Sequence, residues 1–136
     1  MQRDAFRGLR PNEKQHMSRV YDRLESATFR LARGGSIKER LDGAWRQYLD
    51  NIEIEDVPRE VRSQFRELSI AIQRERPLRG EDAVRATIRK MSNDEAEGHA
   101  ANIVRMFCRV TRQQELELPL PSSNGAEVVQ LFAAEG

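Results

Sequence analysis

Apolar side chains return every three or four residues in five separate stretches of this chain, and residues that start or stop helices bracket each stretch. That spacing gathers the apolar groups on one face of an α-helix. Such a face is stable in water only when another covers it, so the pattern demands helix packed on helix. Aromatic residues make up 6% of the chain and strand-length apolar/polar alternation is rare, which disfavours a sheet.

The first helix is expected to open at Pro11 or Asn12, a first-turn proline and a good cap. Met17, Val20, Tyr21, Leu24, Ala27, Thr28 and Leu31 form its apolar face, and Gly34-Gly35 ends it. Ser36 and Glu39 have the spacing of a capping box and open the second helix. Its stripe is Ile37, Leu41, Ala44, Trp45, Tyr48, Leu49 and Ile52, with Trp45 the largest core anchor.

Asp56-Val57-Pro58 reads as a cap followed by a first-turn proline, opening a third helix whose buried face is Val61, Phe65, Leu68 and Ile72. The helix is expected to stop before Pro77, because the residue preceding a proline disfavours helical geometry. Gly80-Glu81-Asp82 starts a shorter fourth helix with Val84, Thr87, Ile88 and Met91 inward. Ser92 and Glu95 predict a second capping box, followed by a fifth helix with Ala96, Ala100, Ile103, Phe107 and Val110 inward and Met106 beside them. Gly98 interrupts this helix at a cost of about 1 kcal/mol relative to alanine, which points to close approach of another helix.

These elements predict an all-α fold, a compact bundle of about five amphipathic helices with a Pro/Ser/Gly-linked C-terminal tail. Residues 1–10 read as a mobile lead-in, 11–116 as the bundle and 117–136 as a linker with a short amphipathic segment, Val128, Val129, Leu131 and Phe132. No apolar run approaches the roughly 18 to 20 residues that span a bilayer. No apolar core of a signal peptide follows Met1, and Cys108 is the single cysteine, so a cytoplasmic location and no membrane association are expected.

Net charge is +1, but its distribution is uneven. Residues 1–33 carry net +4 and residues 57–80 net +3, whereas residues 36–56 and 116–136 each carry net −3. Twenty of the 23 basic residues are arginine. Arg59, Arg62 and Arg66 recur three and four residues apart, on one face of the third helix. This suits contact with an acidic partner, or with phosphate, since guanidinium presents a planar fork of donors.

Candidate catalytic and metal groups are sparse. Glu13-x-x-His16 has the spacing used in carboxylate-bridged metal bundles, but such sites repeat the motif and add carboxylates from two other helices. The nearest counterpart, Glu95 and His99, is spaced four apart, and His99 is expected to sit at the core boundary bonded to a backbone carbonyl or water. Cys108 has Arg105, Arg109 and Arg112 nearby but no histidine close in sequence, and cysteine is often buried as a small hydrophobe. No phosphate-binding glycine loop, nucleophile elbow or paired-cysteine spacing is present. Neither catalysis, a metal nor a cofactor is expected.

The fourth helix, its turn and the fifth helix have the length of a helix-turn-helix, with Arg85, Arg89 and Lys90 near the junction. Asp94, Glu95 and Glu97 fall where such a module reads bases, and carboxylates there repel phosphates. The sequence therefore favours a non-enzymatic helical module for protein–protein interaction or regulation that self-associates as a homodimer. Its partner-binding residues are Arg59, Arg62, Arg66, Val128, Val129, Leu131 and Phe132. The alternative is a nucleic-acid-associated protein using arginines of the third and fourth helices.

Overall fold

A computed structural model describes residues 11–117, and side chains from 19 to 116. The five helices are α1 (Pro11–Leu31), α2 (Ile37–Ala44), α3 (Arg59–Ala71), α4 (Ala83–Lys90) and α5 (Asn93–Glu117), and the described residues contain no strand. The lead-in and the tail lie outside the described residues. None of the helices described is long and apolar enough to cross a membrane.

α5 is the central helix and packs against α1, α2 and α3. Arg109 of α5 meets Gln64 of α3, and Glu95 at the start of α5 meets Arg74 just beyond the end of α3. The two helices therefore run antiparallel. At the other side of α5, the Tyr21 and Phe107 rings sit 5.6 Å apart. Between them the elements enclose one core: Val20, Leu24, Leu41, Trp45, Leu49, Val61, Ile72, Ile103 and Met106 are all buried. Burial of each large aliphatic side chain is worth about 1.5 to 3 kcal/mol.

The caps behave largely as their sequence dictates. Ser36 Oγ accepts from Glu39 N at 3.1 Å, and Ser36 N donates to Glu39 Oε2, which completes the box. Asp82 caps α4 by accepting from Arg85 N at 2.8 Å. Ser92 caps α5 through Glu95 N at 3.0 Å. The Glu95 carboxylate, however, turns towards Arg74, which stands 2.6 Å away, because a guanidinium attracts it more strongly than a backbone amide does.

Four expectations need correction. First, α2 does not continue as an α-helix through its stripe. Trp45–Leu49 forms a π-helical turn in which Asp50 N donates to Trp45 O at 2.9 Å. The wider turn brings the Asp50 carboxylate to 3.2 Å from Trp45 Nε1. The indole N–H is thereby satisfied while its ring stacks on Phe65 at 5.8 Å. Second, Asp56 closes a short 3₁₀ turn, Ile54–Asp56, and Pro58 itself occupies the cap of α3. That helix ends at Ala71, well before Pro77.

Third, Met106 is fully buried, whereas Phe107 is only half-buried and packs on the flank of the core against Tyr21. Fourth, a Cβ on Gly98 would meet nothing within 4 Å, so no helix closes on it. The tight glycine contact is at Gly43, where a Cβ would lie 2.6 Å from Nε at the end of the Arg30 side chain. Positive φ is confined to Gly35 and Gly80 among the described residues. At φ +85°, Gly80 closes the Leu78–Glu81 turn that leads into α4.

Candidate functional site

The basic residues separate into two groups once the helices are assembled, and the separation locates the surface of interest. Many cations are engaged internally. Arg40 of α2 reaches back to Leu31 O at 2.8 Å and Gly35 O at 3.1 Å, satisfying carbonyls at the C-terminal end of α1. Lys38 donates to Arg89 O at 3.1 Å at the end of α4. Arg23 donates to Tyr48 O in the π-helical turn.

Arg62 belongs to this group. Its Nε and Nη2 donate to Val57 O at 3.1 and 2.9 Å, and Nη2 also reaches Glu55 O at 3.2 Å. The fork of donors thus clamps the connection onto the first turns of α3 and is not offered to a partner. Arg59 and Arg66 differ. Both are exposed, and neither takes part in an ion pair or hydrogen bond among the described residues. They lie seven residues apart, so they occupy the same side of the helix.

Ile70 continues their stripe four residues after Arg66, and it is 66% exposed. It points away from Val61, Phe65, Leu68 and Ile72, all of which are buried. The connection that follows α3 adds exposed Arg76, Leu78 at 59% exposure and Arg79. One continuous segment therefore presents unpaired guanidinium groups beside large aliphatic side chains. Sequence reasoning missed Ile70 and Leu78. For Ile70 the available signal was a large apolar residue off the buried stripe of its own helix, and for Leu78 a large apolar residue in a connection.

The other candidate groups are placed differently. His16 and Glu13 lie in α1, and their side chains are outside the described set. His99 is 14% exposed at the side chain, and its Nε2 stands 3.6 Å from Glu95 Oε2. No backbone carbonyl of the described residues accepts from Nε2, and the polar group facing it is the Glu95 carboxylate. Glu95 closes a chain of charges, because Arg74 also lies 3.5 Å from Glu75, and Glu75 lies 3.3 Å from Lys90. Cys108 is exposed on α5, contrary to a buried role. Among the described residues, no group of three or more His, Cys, Asp or Glu is arranged to hold a metal ion. A cleft between α1 and the connection at residues 51–56 has a volume of about 70 Å³, well below the size of an organic-ligand pocket.

On the fourth helix, the arginine cluster is largely neutralised. Arg89 donates to both carboxylate oxygens of Glu81, at 2.8 and 3.2 Å, and this contact holds Glu81 below the usual carboxylate range. Lys90 is paired with Glu75. Arg46, reaching across from the π-helical turn, bonds Asp82 and Asp42. The Arg46 contact, helped by Arg85 N, lowers Asp82 to about 2. Asp94 and Glu97 remain exposed at the start of α5. Comparison with protein families, with curated proteins and with solved structures returns no match.

Proposed function

We propose that this chain is a helical interaction module whose α3 face docks an acidic, amphipathic segment of a partner protein. The observation that carries this reading is the exposed stripe of Arg59, Arg66 and Ile70, extended by Leu78 in the following connection. Unpaired guanidinium groups attract carboxylates and can engage them bidentately. The aliphatic side chains supply what carboxylates alone cannot, an apolar surface that gains on leaving water. A protein segment satisfies both demands. A nucleic-acid backbone satisfies only the first, and the neutralised cations of α4 together with Asp94 and Glu97 weigh further against it.

The test is selection of a displayed peptide library against the full chain. Recovered peptides should combine two or more large apolar residues with acidic ones. Ile70→Asp or Arg66→Glu should abolish their binding while leaving thermal unfolding of the chain unchanged. Peptides indifferent to both substitutions would refute the reading. Steeply salt-dependent binding to a random duplex would favour the nucleic-acid alternative instead.

A further inference from the structure

We propose that the chain carries its own competitor for this face: residues 126–135, held in cis, occupy the α3 stripe and must be displaced by a partner. The inference rests on the docking role of α3 and adds its regulation.

Three observations meet here. The first is chemistry. Residues 116–136 contain three acidic groups and no basic one, and Glu127 and Glu135 flank Val128, Val129, Leu131 and Phe132. That composition, carboxylates around a short apolar run, is the complement of Arg59, Arg66 and Ile70. The second is position. α5 runs antiparallel to α3, with Arg109 beside Gln64, so the end of α5 at Glu117 lies towards the first turn of α3, where Arg59 sits.

The third observation is reach. The ten residues between Glu117 and Val128 span up to about 33 Å when extended. The 13 residues of α3 measure about 20 Å along its axis. The apolar run can therefore be delivered to any point on the stripe without leaving its own chain. A tether of this length presents its segment at an effective concentration on the order of 1 mM. A segment that binds at one-tenth of that concentration weakens an added competitor about tenfold by simple mass action.

The experiment uses the full chain and a full-length variant carrying Leu131→Asp and Phe132→Asp, each labelled for amide NMR. The probe is a synthetic peptide with the sequence of residues 124–136. In the variant, amide resonances between Arg59 and Leu78 should move relative to the native chain, identically at low and high protein concentration. The peptide should bind the variant about tenfold more tightly than the native chain, and Ile70→Asp should remove that binding.

Unchanged α3 resonances with equal peptide affinity for both chains would overturn the cis occupancy, while peptide binding that still depends on Ile70 would leave the docking face intact. Shifts that grow with protein concentration would place the segment on a neighbouring copy and overturn the cis form in favour of self-association. No peptide binding to either chain would also overturn the proposal, and the library selection would then decide the docking role by itself.

Discussion

Gly98 offers the sharpest separation between two ways of using a mid-helix glycine. A glycine retained for close packing loses stability when a methyl group is added. One that faces open space gains it, because alanine is about 1 kcal/mol better in a helix interior. In α5, a Cβ at position 98 would meet nothing within 4 Å. Gly98→Ala should therefore stabilise the bundle by about 1 kcal/mol, which raises the thermal midpoint of a domain this size by about 4 °C. Gly43 supplies the internal contrast. Its Cβ would stand 2.6 Å from Arg30 Nε, so alanine must swing the end of the Arg30 side chain aside. Moving that guanidinium offsets part of alanine's preference for a helix interior, so Gly43→Ala should gain less than Gly98→Ala. Urea unfolding of the two variants and the native chain, followed by circular dichroism, measures both. An unchanged or lowered midpoint for Gly98→Ala would refute the reasoning.

Arg62 and Arg66 should behave as different residues despite their shared face. Arg62→Met loses the bonds to Val57 O and Glu55 O and should cost about 1 to 2 kcal/mol in urea unfolding. Arg66→Met should change stability by less than about 0.5 kcal/mol, and equal costs for the two would contradict the division of the arginines. Asp82 makes a pH prediction. Its folded value of about 2 lies below the ordinary 3.8, so its charge stabilises the fold above about pH 4, and that contribution is lost as the pH falls through 2. Because the Asp82 side chain is 54% exposed, screening reduces the gain to about 1 kcal/mol. Asp82→Asn keeps a cap acceptor, so the stability difference from the native chain should be about 1 kcal/mol at pH 7 and vanish near pH 2. A difference that does not vary with pH would remove the Arg46 pairing from the account.

What was legible in the sequence is what local rules determine. Helix number, the Ser36–Glu39 box, the Asp82 cap and most of the buried stripes all follow from periodicity and capping chemistry, which act within about one turn. What was not legible depends on atoms distant in sequence. The π-helical turn at Trp45 exists because the indole N–H, once buried against Phe65, needs a partner, and Asp50 reaches it only if the backbone widens. Nothing within a single turn announces Phe65. Likewise Glu95 forgoes the second half of its capping box because Arg74 arrives from beyond the end of α3. Met106 and Phe107 exchange their expected roles because the buried stripe of α5 steps three residues from Ile103 to Met106 and four to Val110, a register set by the helices packed around it and not by α5 alone.

The candidate site shows the same division within a single triplet. Arg59, Arg62 and Arg66 are indistinguishable as an i, i+3, i+7 series on a basic helix. They are distinguished by which carbonyls the preceding connection leaves unsatisfied. Residues 54–57 turn through a 3₁₀ segment and leave Glu55 O and Val57 O exposed to whatever donor stands nearest, and the geometry of α3 makes that donor Arg62. Arg40 at the end of α1 and Lys38 at the end of α4 answer the same need. The guanidinium excess is thus partly a device for closing helix ends, where a planar group with five donors can serve two carbonyls at once. Only after these internal uses are subtracted does the remainder identify a surface. Arg59 and Arg66 are left over on α3, beside an isoleucine that the core does not use. What supports the docking role proposed for this face is that Arg59, Arg66 and Ile70 share one side of α3 and Leu78 follows in the next connection, a grouping of donors and uncovered aliphatic side chains that folding alone does not require.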